Sequence, residues 1–133
     1  MTLGFATGLR NARADAITTF AGGSCFFRLY SGTRPATGGT VTTLLAELVC
    51  NATFAPAASG GVLTLNAITI DASADNSGTA TWFRIVKSDG TTHVMDGQID
   101  SSTLTTTDLT IPGSIVAGYP VGVSGFTITE SNP

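Results

Sequence analysis

Beyond Gly22 and Gly23, the chain is a succession of short apolar or alternating segments separated by turn-forming residues. These segments cover residues 25–31, 41–50, 62–67, 79–87, 91–99, 109–111 and 121–129. Pairs such as Asp89-Gly90 and Pro112-Gly113 lie between them, and such residues reverse a chain between antiparallel strands. No helical pattern alternates with the strands, which argues against a parallel sheet. The sequence therefore predicts a mainly β fold, a jelly roll or β-sandwich of about eight antiparallel strands.

The segment at residues 3–20 has the periodicity of a helix instead. Its apolar positions recur at spacings of three and four residues; they are Phe5, Leu9, Ala12, Ala16, Ile17 and Phe20. Gly22 and Gly23 would end this helix. We therefore expect one domain over residues 1–133, with an N-terminal helical segment at 1–22 and a β-sandwich at 23–133. The apolar helix face packs either on the chain's own core or on a neighbouring protein, and the pattern leaves both open.

The low charge of the chain is the most informative feature of its composition. Only 11% of the 133 residues are charged, against roughly 25% in ordinary soluble domains. Because a free monomer usually keeps more charge on its surface, we expect part of this surface to be covered in an assembly. The net charge of -3 and the single lysine, Lys87, argue against a nucleic-acid partner, which requires clustered cations. No apolar run reaches the roughly 20 residues of a membrane helix.

The two cysteines, Cys25 and Cys50, are too few for a disulfide framework. Each lies in an apolar run, so two buried free thiols are expected. The N-terminal residues lack the basic start and apolar run of a secretory signal. Synthesis in the cytoplasm without export is the simplest interpretation.

Few side chains are suited to catalysis. His93 is the only histidine, and residues three apart on a regular strand face opposite sides, so it is not expected to pair with Asp96. Asp71 and Asp75 lack the glycine and glutamate spacing of a calcium loop, and no phosphate-binding or nucleophile motif occurs. The sequence predicts no enzyme, no cofactor and no metal site.

Two pairs of neighbouring aromatic residues supply candidate contact residues. Phe26-Phe27 and Trp82-Phe83 lie on strand segments, where neighbours point to opposite faces, so one ring of each pair is expected to face outward. An exposed aromatic ring is a common contact for another subunit. Together with the helix, this reasoning gives the following interface candidates: Phe5, Leu9, Phe20, Tyr30, Arg34 and Trp82.

Four residue runs resemble small virion proteins of tailed bacteriophages. They are RLYSGTRPA at 28–36, LLAEL at 44–48, TFAPA at 53–57 and TWFRI at 81–85. The resemblance covers most of the chain, from the leading helix to residues 126–129, and is greatest to the jelly-roll cement or decoration proteins of phage capsids. That family has no catalytic motif to transfer.

The resemblance implies a virion structural protein that binds the outside of the capsid and joins neighbouring major capsid proteins. The implied partners are the major capsid protein and copies of the chain itself, as a dimer or trimer, with no nucleic acid and no membrane. The implied location is the capsid surface, after synthesis in the host cytoplasm. Two alternatives remain: a tail, adaptor or fibre subunit, and a carbohydrate- or receptor-binding jelly roll in which Trp82 or Tyr30 stacks on the ligand.

Overall fold

A computed structural model of the chain describes residues 3–99 and 114–132. These residues form one helix and six strands, in the order α1 (Thr7–Ala21), β1 (Phe26–Ser31), β2 (Thr43–Val49), β3 (Val62–Thr64), β4 (Trp82–Val86), β5 (His93–Gln98) and β6 (Thr127–Thr129). The prediction of a mainly β fold with one N-terminal helix is confirmed. The described residues hold six strands rather than about eight, and the strand predicted at 109–111 lies outside them.

The larger sheet contains four antiparallel strands in the order β2-β1-β4-β5. β4 and β5 form the hairpin expected around Asp89-Gly90: the Gly90 N–H donates to the Lys87 carbonyl at 2.9 Å, and Gly90 has φ +74°. All five residues of β4 are buried, so both faces of this central strand are covered. We call this four-stranded unit the main sheet.

The outer edge of β2 is accompanied by two irregular segments. Single antiparallel bridges join Val49 to Thr69, Asp71 to Val121, and Gly78 to Ile115. Residues 69–78 therefore run beside β2, and residues 115–121 run beside them. The last predicted strand, at 121–129, is shortened to β6, and Gly125, within that segment, has φ +69°.

An aromatic cluster fills the space between the main sheet and the smaller β3-β6 sheet. The rings of Phe27 and Phe83 stack with centroids 4.9 Å apart. Phe126, next to β6, meets both rings edge-on at 5.7 and 5.3 Å, and Leu63 of β3 is fully buried. Two antiparallel sheets that share a core in this way are consistent with a β-sandwich.

α1 packs against β3 through small and polar side chains. Its buried residues are Ala14 and Ala21, with Ile17 packed against the core. Asn11 Oδ1 accepts the Gly61 N–H at 2.8 Å and Asp15 Oδ1 accepts the Ala58 N–H at 2.7 Å. Alanine on this face lets the helix backbone approach closely, while the Asn11 amide oxygen and the Asp15 carboxylate oxygen accept hydrogen bonds from backbone N–H groups of the 58–61 turn.

The large apolar residues of α1 lie on a different side of the helix from this contact. Leu9 is 49% exposed and Phe20 is 52% exposed. Of the apolar face that the sequence predicts, Ile17 packs on the chain's own core, whereas Ala12 and Ala16 are exposed. Among the described residues, no helix has both the length and the apolar character that a bilayer crossing requires.

Candidate functional site

The outer face of the main sheet, which points away from the aromatic cluster, carries a buried aromatic pair. Tyr30 and Trp82 stack with centroids 4.3 Å apart and are 2% and 0% exposed. The Trp82 Nε1–H donates to Thr42 Oγ1 at 2.9 Å. Residues 32–42, the connection between β1 and β2, therefore cover this pair, and we call them the covering loop.

The expectation that one ring of each aromatic pair faces outward is wrong for Trp82 and Phe83. Both rings are buried, because the second face of β4 is covered by the covering loop. Phe26, in the other pair, is half-buried, with the Arg28 guanidinium 5.6 Å from its ring centroid. Tyr30 and Trp82 thus present almost no surface to a partner in this conformation.

Beside the aromatic pair lies an ion pair between Arg84 and Asp96, whose carboxylate is shielded from solvent. Arg84 donates from Nε to Asp96 Oδ1 at 2.6 Å and from Nη2 to Oδ2 at 2.9 Å. The Asp96 side chain is 0% exposed and that of Arg84 is 9% exposed. A two-pronged contact of this kind fixes both the distance and the orientation of the two planar groups.

The same ion pair holds the covering loop by its backbone. The Gly38 N–H donates to Asp96 Oδ2 at 2.9 Å, and Arg84 Nη1 donates to the Gly39 carbonyl at 2.9 Å. Both charged groups of the ion pair thus make a further hydrogen bond to the backbone of the covering loop. We refer to Arg84, Asp96 and His93, with the Gly38 and Gly39 backbone, as the buried polar cluster.

His93 belongs to this cluster, which corrects the expectation that it cannot meet Asp96. Its Nε2 lies 3.2 Å from Asp96 Oδ1, and its side chain is only 29% exposed. The cause is a register shift between Ile85 and Val86: Ile85 pairs with Met95, but Val86 pairs with His93. The extra residue, Val94, forms a bulge that turns His93 onto the same face as Asp96.

The buried polar cluster is a set of contacts between the main sheet and the covering loop. Both oxygens of Asp96 accept hydrogen bonds, from Arg84 and from the Gly38 N–H. In the part of the chain that the structure describes, no three His, Cys, Asp or Glu side chains are grouped to hold a metal ion. Asp71 instead accepts the Ser73 and Glu47 N–H groups, as a polar turn residue does.

The pKa of Asp96 reflects this arrangement. Burial raises it, but the hydrogen bonds from Arg84 and Gly38 and the positive charge of Arg84 outweigh burial, and the pKa lies below its usual 3.8. Near pH 3.8 the unfolded chain therefore binds more protons at this carboxyl than the folded chain does. The carboxylate stabilises the fold above pH 3.8, and that contribution is lost as the pH falls through 3.8 towards the lower folded-state value.

We expect the free energy of unfolding to decrease between pH 5 and pH 2, with Asp96 contributing to the slope. Urea unfolding at a series of pH values would measure the slope in the native chain and in Asp96→Asn. The variant has no titrating group at this position, so its curve should be flatter. If the free energy of unfolding fell equally steeply with pH in both proteins, the pKa of Asp96 would not be lowered by folding as its hydrogen bonds indicate.

The second candidate feature is an exposed apolar stripe on α1. Leu9, Ala12, Ala16 and Phe20 are all exposed, and their spacing places them on one side of the helix. Leu3, before the helix, is 49% exposed as well. Lys87 lies over the Phe20 ring with its Nζ 4.1 Å from the centroid. We call the four helical residues the helix stripe.

The other interface candidates and exposed apolar residues lie elsewhere. Phe5 is half-buried beneath the Arg13 guanidinium, 5.3 Å from its ring centroid. Arg34, in the covering loop, is half-buried. Large apolar side chains are also exposed away from α1; they are Val41, Val49, Ile70, Val116 and Tyr119. The six predicted interface residues are thus divided between the N-terminal helical region and the outer face of the main sheet.

The buried polar cluster is the feature that sequence reasoning missed. The available signal was Arg84 itself, a charged residue within the apolar run TWFRI. An arginine inside a buried strand requires a carboxylate partner, and Asp96 lies on the next strand of the same hairpin. No sequence pattern indicated that the covering loop is bound by this ion pair, because the contacts join residues that are far apart in the sequence.

A shallow cavity of about 200 Å³ lies between residues 65–68 and 123–126. Its lining is mostly apolar, with Asn66 and Ser124 as polar side chains, and contains no charged side chain.

Comparison with known proteins leaves the chain without an assigned relative. No protein-family model, no curated protein and no solved structure matches it. The resemblance to phage cement proteins therefore stays a prediction that rests on the four residue runs.

Proposed function

We propose that this chain is a virion structural protein that binds the outside of a phage capsid and cements neighbouring major capsid proteins. The helix stripe is the observation that carries the proposal. Leu9 and Phe20 remain about half exposed although α1 is firmly attached to the rest of the chain by its other side. A neighbouring protein that covered the stripe would remove this apolar surface from water.

The energetics suit a subunit that binds in many copies. Fully burying a leucine or phenylalanine side chain contributes about 1.5–3 kcal/mol, and roughly half of each remains to be buried here. That is a weak contact for one subunit, but contacts repeated on linked subunits of a symmetric shell add avidity. A chain in which only 11% of the residues are charged also has few charges to desolvate on binding.

The jelly-roll part of the proposal is supported by the two irregular segments beside β2. Residues 69–78 and 115–121 are joined to it and to each other by single bridges. Counted as strands, they would raise the number within residues 3–99 and 114–132 from six to the eight that a jelly roll contains. They would also extend the main sheet on its β2 side.

Leu9→Asp is expected to leave the monomer folded and to abolish binding to the capsid. Leu9 is half exposed, so the change should lower the free energy of unfolding by only about 1 kcal/mol, which is the contribution of the half that is already buried. In an interface the same charge would be buried without a partner, which is costly, and we expect at least tenfold fewer copies per particle. Urea unfolding and quantitative imaging of purified phage particles would measure the two effects.

Gly8→Asp is the matched control for this experiment. It adds the same charge one residue away, at a helical position where a new Cβ has no atom within 4 Å and where the helix dipole favours an acidic side chain. This variant should bind normally. If Leu9→Asp unfolded the chain, the stripe would belong to the chain's own core; if it bound with full occupancy, the stripe would not be the interface.

The copy number in native particles separates cementing from other virion roles. Hundreds of copies over the head lattice would support the proposal, whereas a ring at the neck or tail would favour an adaptor or tail subunit. The carbohydrate-binding alternative is weakened, because it relied on Tyr30 or Trp82 as exposed stacking rings and both are buried.

A further inference from the structure

Cys25 and Cys50 lie opposite each other, one position beyond the last paired residues of β1 and β2. Phe26 pairs with Val49, and the Cys50 N–H donates to the Cys25 carbonyl at 2.8 Å. The Ser24 N–H donates to the Asn51 carbonyl at 3.1 Å, so the chains stay together past the cysteines. Directly opposed residues of an antiparallel pair have Cα atoms about 4.5–5.5 Å apart, within the roughly 4.4–6.8 Å that a disulfide spans.

Both thiols are free and buried, at 0% and 3% exposure, and they contact each other. A hydrogen bond from the Cys50 thiol lowers the pKa of Cys25, with burial acting in the opposite direction. The same bond, together with burial, raises the pKa of Cys50. Cys25 is therefore the thiol that ionises first, and the Cys50 sulfur is already positioned beside it.

We propose that Cys25 and Cys50 form a reversible cross-strand disulfide within the folded chain when it meets a hydroperoxide. The Cys25 thiolate attacks the O–O bond of hydrogen peroxide, which gives a sulfenic acid and releases hydroxide, protonated to water. The Cys50 sulfur then attacks the Cys25 sulfur, and the leaving hydroxide takes up the Cys50 proton as a second water. Two thiols are oxidised to one disulfide, and one peroxide is reduced to two waters.

The disulfide would fasten the start of β1 to the end of β2, directly after the short linker that follows α1. Only residues 22–24 separate α1 from Cys25, and at Gly23 a Cβ would collide with the Ala52 carbonyl, so this linker already lies tightly against the residues after Cys50. Closing the 25–50 loop covalently restricts the unfolded chain. The inference does not depend on a capsid partner; it requires only that the folded, reduced chain meets a hydroperoxide.

The test uses the purified, fully reduced chain treated with a small excess of hydrogen peroxide. The treated protein is then unfolded, alkylated with N-ethylmaleimide and mapped by peptide mass. We expect no alkylation at either cysteine, a linked pair of peptides that dithiothreitol separates, and a Tm about 5–10 °C above that of the reduced chain. Cys50→Ser, treated identically, should show no gain in Tm.

Several outcomes would overturn the inference. In one such outcome, both cysteines of the folded chain can still be alkylated after peroxide treatment, but the urea-unfolded chain forms the disulfide under the same conditions. That result would show that the folded geometry forbids the disulfide. Sulfinic or sulfonic acids at Cys25, or disulfides only between chains, would show that Cys50 does not capture the oxidised sulfur.

Discussion

Arg84→Met is expected to lower the free energy of unfolding by about 3–5 kcal/mol, because it leaves a buried carboxylate without its cation. Asp96 would keep the Gly38 N–H and the nearby His93 but lose both bonds from Arg84. Methionine preserves much of the volume of the arginine stem, so the loss should come mainly from the unpaired charge. Urea unfolding at pH 7 measures it.

Arg28→Met is the matched control for this prediction. Arg28 lies directly opposite Arg84 in the β1-β4 register and is paired with Glu47 at 2.6 Å, but the two side chains are 22% and 35% exposed. Water and salt screen such a pair, so its loss should cost about 1 kcal/mol or less. Similar losses for the two variants would mean that burial does not strengthen the Arg84–Asp96 pair.

A double variant, Arg84→Met with Asp96→Leu, separates two contributions to stability. One is the net contribution of the intact ion pair, and the other is the penalty for leaving one buried charge unpaired. Removing both charges eliminates the unpaired carboxylate, so the double variant should be more stable than Arg84→Met alone. The covering loop would still lose its bonds at Gly38 and Gly39, and limited proteolysis within residues 32–42 should become faster in both variants.

The strand pattern was predictable because it depends on local residue order. The alternation of residues 62–67 and the Asp89-Gly90 turn each fix a face or a reversal within a few residues. The bulge at Val94 was not predictable in the same way, since an unpaired residue is defined by the neighbouring strand. The bulge at Val94 brings His93 and Asp96 to the same face of the sheet. The regular alternation of a strand, which the sequence analysis assumed, places them on opposite faces.

The attachment of α1 shows a second limit of sequence reasoning. Apolar periodicity selects the largest side chains, and it singled out Leu9 and Phe20. The helix is attached instead through Ala14 and Ala21, which give little hydrophobic signal, and through Asn11 and Asp15, whose bonds go to backbone groups more than forty residues away. Four of the six predicted apolar positions form the helix stripe, whereas Ile17 packs on the core and Phe5 lies before α1. The position of this face relative to the core therefore required the structure.

Trp82→Ala is the second large effect that we expect, again about 3–5 kcal/mol of lost unfolding free energy. It would remove a fully buried ring, its stack on Tyr30 and its hydrogen bond to Thr42. Trp82→Phe keeps a stacking ring but lacks the indole N–H, so it should lower the free energy of unfolding by less than Trp82→Ala does. Tyr119→Ala changes a side chain that is 66% exposed and should alter the free energy of unfolding by less than about 0.5 kcal/mol.

Because Trp82 is the only tryptophan, its fluorescence also reports whether the covering loop stays closed. In the native chain we expect blue-shifted emission and weak quenching by acrylamide, since the ring is shielded from solvent. Arg84→Met should increase quenching in proportion to loop opening, because the Gly39 carbonyl loses its donor. Strong quenching in the native chain would mean that the loop opens readily, and Tyr30 and Trp82 would then return as interface residues for a partner that binds the open form.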